Sequence, residues 1–506
     1  MTGCDPSIKM LAFARADQLS APVLEKGSVL VLCPLVVDLD GTLIHTDMLH
    51  ESALRVFRDS PFHSLKIPLW LSRGKAVLKQ KLASRTGFTP ITLPYNDEFL
   101  AWLKEQRAAG RKLVLCTATD HAIASVIAEH LDIFDEVIAS DGTINVAGEN
   151  KARALEQRFG KAGFDYAGNS RADIAVWASA RRAVVVNASD SVTREARKVA
   201  DIEEVFPPRT RGLSAWRKTL RVHQWLKNLL LFVPLLAGHE LADPGAWLAL
   251  ALAFIAFSMC ASSVYIANDL LDLESDRQHP RKRNRPFASG LMPAWMGVAV
   301  APFLLLASLV LGSLVGAAFF KWLVVYFLLT CVYSWSLKRL ILVDCLTLAL
   351  LYTLRIIAGA AAVGHPLSFW LLAFSVFLFL SLAFVKRYAE LEVQILRGKQ
   401  KIHGRGYLTT DAPLIQCMGV VSGYASVLVL ALYLNSDAVI RLYRTPELIW
   451  GAVLSMLFWV SWMWLQAHRG EMHDDPLVFA VKDRASQCAG AMFALVLFAG
   501  SIVLPW

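Results

Sequence analysis

Three carboxylates, Asp269, Asp272 and Asp276, recur at i, i+3 and i+7, and in a helix that spacing puts all three on one face. Asn268 precedes them. Five Arg and Lys, including Arg277, Arg281, Lys282 and Arg285, follow within nine residues. A face of hard carboxylate oxygens suits Mg²⁺, which in turn holds phosphate oxygens. The basic run offers charge-assisted partners to further phosphates. The stretch Asn268–Gly290 directly follows the apolar run Ala246–Ala267, so its acids stand where a membrane helix meets water. A loop whose positive charge served only membrane topology would not need aligned carboxylates.

A second set of chemistry-bearing residues lies near the start of the chain. The run CPLVVDLD ends in Asp38 and Asp40, two acids that leave a strand end in the same direction. In that geometry one carboxylate attacks a phosphoryl group and the other handles the proton. The run RKLVLCTAT offers the Thr117 hydroxyl to a phosphate oxygen, and GENKARAL places Lys151 at a helix start to neutralise a phosphoryl anion. The segment GNSRAD offers Asp173 as a metal ligand.

The elements that must position this second set are short β-branched runs alternating with helical stretches: CPLVVDLD, RKLVLCTAT, DEVIAS, FDYAGN and RAVVVNAS. That alternation predicts βαβ units and a parallel sheet with helices on both faces, with the site at the strands' C-terminal ends. In order and placement, the four motifs resemble the haloacid dehalogenase (HAD) superfamily of phosphohydrolases over residues 28–206. The resemblance implies Asp38 as nucleophile, Asp40 as general acid/base, Thr117 and Lys151 as phosphate binders, and Asp38, Asp40 and Asp173 around Mg²⁺. It makes residues 47–94 a small helical cap. One position departs from the family: Asn169 stands where an acid is usual, which removes a negative charge from the metal site.

The remainder of the chain is mostly apolar. Over 506 residues the composition is 55% hydrophobic and 18% charged, with a mean hydropathy of +0.45, as expected of an integral membrane protein. The net charge of +9 comes largely from Arg and Lys beside apolar segments, so it does not argue for nucleic-acid binding. Eight Cys without CxxC spacing suggest reduced thiols and no structural zinc. An N-terminal tail (1–27) has no apolar core long enough for a signal peptide. A basic linker (207–220), with two prolines and a Trp, leads to the membrane domain (221–506). Nine spanning segments are expected, near 222–240, 246–268, 293–314, 317–335, 341–363, 367–385, 414–434, 447–466 and 487–505. With the N-terminus inside, the inner loops hold sixteen Arg and Lys and the outer loops three. This asymmetry predicts an inner (plasma) membrane protein whose Asp-rich stretch and α/β domain both face the cytoplasm.

Charges inside apolar segments mark a polar cavity. Asp344 lies one turn into the fifth segment and Arg355 eleven residues later on nearly the same face. They line that cavity or form an ion pair that fixes packing. Lys338 precedes that helix, Lys386 ends the sixth segment, and Lys227 opens the first. With NDxxDxxxD capping an apolar segment, this set resembles the UbiA superfamily of membrane transferases, which carry a Mg²⁺–diphosphate site. The family's second Asp-rich motif is incomplete here. LRVHQWLKN, YSWSLKRLILVD with LRIIAG, and KRYAEL are most similar to its polyprenyl-phosphate phosphoribosyltransferase branch. That resemblance implies phosphoribosyl pyrophosphate as donor, polyprenyl phosphate as acceptor, Mg²⁺ on Asp269, Asp272 and Asp276, and Arg277, Arg281, Lys282 and Arg285 on the donor's oxygens. Lys227 and Arg355 would hold the lipid phosphate. The fused phosphohydrolase could then remove the product's 5-phosphate. Competing readings are an isoprenyl-diphosphate prenyltransferase and a non-enzymatic scaffold with a degenerate hydrolase domain. The fold expected is a Rossmann-like α/β domain with a helical cap, followed by an all-α polytopic bundle of about nine transmembrane helices.

Overall fold

The computed structural model describes residues 33–501 apart from 88, 239–241, 402–404, 435, 437–444 and 473–474. The expected tail, 1–27, lies outside the described residues.

Six parallel strands form one sheet in the order β3-β2-β1-β4-β5-β6: β1 Leu35–Val37, β2 Leu113–Asp120, β3 Glu136–Ser140, β4 Asp165–Gly168, β5 Arg182–Val186 and β6 Asp201–Phe206. Five were expected. The sixth, DIEEVF, is largely solvated and acidic, so it carries little of the apolar signal by which buried parallel strands are read. The two-residue period decides which side chain goes to which face. Leu35 and Val37 enter the core on one side with Leu113 and Leu115; Val36 enters the other with Val114 and Tyr166. Strand order reverses between β1 and β4, and the crevice at that point receives the residues following both strands.

Between β1 and β2 the chain makes α1 (Met48–Asp59), α2 (Pro61–Ser64), α3 (Ile67–Ser72), α4 (Lys75–Ala83) and α5 (Asp97–Ala108). Asp47 caps α1 by accepting from the amides of Leu49 and His50. Helices α1, α3 and α4 pack around Val56, Trp70, Leu78 and Leu82 as a small core of their own beside the sheet. Helices α6 (His121–Leu131), α7 (Glu149–Phe159), α8 (Ile174–Trp177) and α9 (Asp190–Val199) complete the βαβ units.

After α10 (Leu213–Thr219), a 3₁₀ helix (Val222–Phe232) and α11 (Val233–Ala237) precede the long apolar helices. These are α12 (Pro244–Leu271), α14 (Ala294–Val315), α15 (Ala317–Trp335), α16 (Val343–Val363), α17 (Phe369–Leu396), α18 (Ala412–Leu434) and the helix Trp450–His468, with α13 (Leu273–Gln278) between the first two. Among the described residues these are the seven helices long and apolar enough to cross a membrane; Val222–Ala237 is shorter. The ninth expected segment, 487–505, overlaps the helix Arg484–Ser501, and its last residues lie outside the described set. The protein is a multi-pass membrane protein. Helices α12 and α17 have 28 residues each, about 42 Å at 1.5 Å per residue, against roughly 30 Å of hydrocarbon. Their surplus turns carry Asn268 and Asp269 on α12, and Lys386, Arg387 and Glu390 on α17, toward the membrane surface.

Candidate active sites

Asp38 leaves β1 with its amide bonded to the Ala167 carbonyl of β4 (3.0 Å), which puts its carboxylate over the switch point. Lys151 Nζ meets Asp38 Oδ1 at 2.6 Å and also donates to the Tyr166 hydroxyl (2.9 Å). Asp40 Oδ1 accepts from the Met48 amide at 2.8 Å and Oδ2 from the Thr119 hydroxyl at 2.7 Å. Burial pushes the Asp40 carboxyl up to about 7, with Asp47 and Asp38 adding to it. It pushes Asp38 up to about 6, against the pull of Lys151. Lys151 stays protonated, because Asp38 and Asp173 outweigh its burial. A carboxyl near 7 beside a buried carboxylate on an ammonium divides proton transfer and nucleophilic attack between two acids.

Asp173 and Thr117 are held by neighbours at the same strand ends. Asp173 accepts four hydrogen bonds: the Tyr166 hydroxyl donates to Oδ1 (2.7 Å), while the amides of Asn169 and Ser170 and the Ser170 hydroxyl donate to Oδ2 (3.1, 2.9 and 2.8 Å). It thereby holds the loop that presents Asn169. Asn169 itself lies against Gly41, where φ is +76° and an added methyl would collide with the amide. Thr117 is fully buried and its hydroxyl accepts from the Thr119 amide (3.0 Å), whereas Thr119, two residues on, reaches Asp40. The period of two that singles out Thr117 also puts Thr119 on its face, so the sequence did carry that signal. Lys79 of α4 donates to the Ala118 carbonyl (2.6 Å) and Asn145 (3.3 Å), which brings a cap cation to the same strand end.

The Asp-rich motif gathers only in part: α12 ends at Leu271, so Asp269 and Asp276, on α12 and α13, converge while Asp272 at the break between them turns toward solvent, and each acid has a cation beside it. Arg285 bridges Asp269 (3.0 Å) and Asp276 (2.6 Å); Arg221 also pairs with Asp269. Lys282 lies 4.0 Å from Asp276 and Lys338 3.8 Å from Asp272. Burial raises the Asp276 carboxyl above its usual range although Arg285 opposes it. Asn268 Nδ2 donates to Ser334 (3.0 Å) and ties α12 to α15; Arg281 is exposed. Among the described residues no three His, Cys, Asp or Glu are drawn together as a ready ligand set. The donor set still fits a hard cation: two buried carboxylates converge on one guanidinium, and that positive group occupies the place between them.

Arg277 does not face the motif. It forms a two-point pair with Glu51 of the cap (2.6 and 3.1 Å) and donates to the Ala288 carbonyl (2.9 Å). Arg55 and Arg58 of α1 reach back to Glu274. Gly290, at φ +72°, lies so close to His45 that any Cβ would meet His45 Cβ at 2.5 Å. Glu51 also accepts from the Thr46 hydroxyl at 2.6 Å. One short helix, α1, therefore joins the two sites: its first amide holds Asp40 and its next turn holds the loop that follows Asp276. Arg277→Glu is expected to weaken docking of the α/β domain by about 1–3 kcal/mol, as loss of a largely buried pair does when some solvent reaches it. Glu51→Arg in the same chain should restore it. Hydrogen exchange of α1 is the readout, and equal exchange in wild type and the single variant would exclude this role. His45 gives docking a pH dependence. Burial and Arg209 lower its pKa to about 4, while Asp97 opposes them. The neutral ring is thus favoured in the fold, with stability complete above about 6.5 and lost as pH falls toward 4. Thermal midpoints should drop across that window, and less so in His45→Gln.

Elsewhere in the bundle, separate polar clusters replace the Asp344–Arg355 pairing considered from the sequence. Eleven residues are about 16 Å of helix, so a shared face does not bring the two side chains together. Asp344 instead pairs with Arg387 (2.6 Å) and Arg405 (3.2 Å) and accepts from Tyr407 (2.5 Å), with Glu390 beside both arginines. Arg355 donates to Asn228 (2.9 Å) and Tyr326 (2.9 Å) and lies over the rings of Tyr326, Tyr352 and Phe257. Lys227 and Lys386 both close on Asp475 (2.7 and 3.2 Å), which Tyr352 also approaches. Asp475 was not expected. Asp before Pro is a readable helix-start signal, but its partners lie 248 and 89 residues away in sequence.

A Rossmann-type sheet with two acids and a lysine at its switch point, joined to a membrane bundle with an Asp-rich cap, defines a phosphohydrolase-like domain fused to a membrane transferase. Residues 231–481 match the UbiA prenyltransferase family and residues 35–177 match haloacid dehalogenase-like hydrolases. The chain belongs to the UbiA family and carries a HAD-like domain at its N-terminus. It is 38% identical over 464 residues to Uncharacterized protein y4nM of Sinorhizobium fredii, covering 91% of this chain and 90% of that one. It is 37% identical to Nodulation protein NoeC of Azorhizobium caulinodans, over 53% of this chain and 86% of that one. It is 38% identical to the Decaprenyl-phosphate phosphoribosyltransferase of Mycolicibacterium smegmatis, over 35% of this chain and 57% of that protein.

Proposed function

We propose that the membrane domain transfers 5-phosphoribose from phosphoribosyl pyrophosphate to a polyprenyl phosphate, and that the HAD-like domain removes the 5-phosphate. The observation that carries the reading is the presence of two separate cation sets. Arg221, Lys282, Arg285 and Lys338 surround the Asp-rich motif; Lys227 and Lys386 share the single Asp475. A transferase with an uncharged acceptor needs one anion site, whereas a phosphorylated donor and acceptor need two. The likeness to a decaprenyl-phosphate phosphoribosyltransferase supports the same assignment.

Asp269, Asp272 and Asp276 would hold Mg²⁺, which when bound neutralises charge on the departing pyrophosphate. Arg285, Lys282, Arg221 and Lys338 bind the donor's remaining oxygens and fix the ribose C1 toward the bundle. Lys227 and Lys386 hold the lipid phosphate, and Arg355 positions Asn228 behind them. A phosphate oxygen attacks C1, and the C1–O bond breaks with its electron pair going to pyrophosphate. The nucleophile is already an anion, so no general base is needed. In the second site Asp38 attacks the 5-phosphoryl group and Asp40 protonates the ribose oxygen as it leaves; Asp40, now ionised, takes a proton from the water that breaks the Asp38–phosphorus bond, which frees phosphate and restores both acids. Asp38 and Asp40 would hold that site's Mg²⁺, with Asp173 keeping Asn169 in place. The domain and the membrane site are read as facing the cytoplasm, on the basis of the loop charges.

Membranes containing the full chain should convert polyprenyl phosphate and phosphoribosyl pyrophosphate to a lipid-linked ribose detectable by mass spectrometry. Consumption of labelled isoprenyl diphosphate with an aromatic acid instead would replace the reading with a prenyl transfer.

A further inference from the structure

The cap has a surface that neither its own core nor the site explains. From Ser60 to Asn96 the chain holds six Arg and Lys and no Asp or Glu. Across α2 and α3, Phe62, Leu65, Leu69 and Leu71 are 85%, 76%, 55% and 49% exposed. The cap's interior is already filled by Val56, Trp70, Leu78 and Leu82, so these four are not parts of an incomplete core. Lys66, Arg73 and Lys75 stand exposed among them. Large apolar side chains with only cations between them match the composition of segments that lie in a membrane interface. An ordinary soluble surface does not gather such a patch without something to cover it.

The place of the cap says what covers it. Leu54 of α1 belongs to one apolar cluster with Trp216 and Leu220, at and just after α10, and with Met296, Val300 and Leu304 of α14. α1 is thus seated on the ends of membrane helices, beside the basic segment that leads the chain into the bilayer, and α2 and α3 follow α1 directly. We infer that the α2–α3 tip inserts Phe62, Leu65, Leu69 and Leu71 into the interfacial layer of the membrane that holds the transferase domain. Lys66, Arg73 and Lys75 lie on anionic head groups there. The cap is then anchored twice, by its ion pairs to the Asp-rich segment and by lipid. Its strand-end site is held at the surface from which a lipid-linked substrate cannot depart. The anchoring holds whatever phosphate ester the domain cleaves.

The test places p-benzoylphenylalanine at Leu65 of the full chain in nanodiscs of phosphatidylcholine with added phosphatidylglycerol. Irradiation should give phospholipid adducts several-fold above those from the same probe at Val199, a partly exposed position at the opposite edge of the sheet. Adducts to peptides of a second copy, or lipid adducts no more abundant than at Val199, overturn the proposal. Adding Lys66→Glu, Arg73→Glu and Lys75→Glu should cut the Leu65 adduct several-fold in these discs. A yield unchanged by the three substitutions overturns the assignment of the cations to head groups.

Discussion

Asp272→Ala is expected to lower phosphoribosyl transfer by roughly 10²–10³-fold, the scale on which one oriented electrostatic contact acts in a transition state. Of the three motif acids Asp272 is the most accessible, with 46% of its side chain exposed, and Lys338 at 3.8 Å is its only ion-pair partner among the described residues. Asp269 and Asp276 are both buried and share Arg285, so their removal would leave a guanidinium unpaired and confound function with folding. Asp272→Ala avoids that difficulty. Transfer would be followed by mass spectrometry of the lipid-linked ribose, with phosphatase activity on a soluble phosphate ester as the folding control. Wild-type transfer in a folded Asp272→Ala protein would remove the motif from the reaction. Removal of divalent ions by a chelator should act in the same direction, and added Mg²⁺ should restore transfer in wild type but not in the variant.

The second large effect is expected at the other end of α1. Asp38→Asn should reduce phosphate release by roughly 10⁴-fold or more, the order associated with loss of a covalent nucleophile. It should also leave a lipid product that keeps its 5-phosphate. Asn preserves shape and still accepts from Lys151, so the buried ammonium retains a partner while the attacking oxygen is lost. Transfer itself should continue, because Asp38 touches no residue of the Asp-rich motif. A product with the same phosphate content in wild type and Asp38→Asn would separate the two domains and leave the hydrolase with a different substrate.

Reading outward from these positions shows how far local order carries. The two-residue spacing of Asp38 and Asp40 is a property of one strand end, whereas the i, i+3, i+7 spacing of Asp269, Asp272 and Asp276 marks the end of a helix but not the break at Asp272 that divides the three between α12 and α13. Both spacings are visible in the chain, as are five of the six strands and seven helices of membrane-spanning length. Composition was enough to separate a soluble α/β domain from an apolar bundle, and the resemblance of their motifs to known families supplied the HAD and UbiA assignments. Partner choice across long sequence separations was not legible. Arg277 lies one residue from Asp276 and reads as a donor contact, yet it pairs with Glu51, 226 residues away. Asp344 reads as facing Arg355 on its own helix and instead pairs with Arg387 and Arg405 on neighbouring segments. Asp475 collects Lys227 and Lys386 from two other parts of the chain.

The physical reason is the same in each case. Periodicity assigns a residue to a face, whereas a buried charge pairs with whichever opposite charge packing brings within a few ångströms in a medium of low dielectric. The sequence by itself determined two chemistries, a nucleophile-and-acid pair on a sheet and an acid motif at a membrane helix end. The tertiary structure decided that α1 joins them, with Met48 holding Asp40 and Glu51 holding Arg277, because only the packed helices bring those groups into contact.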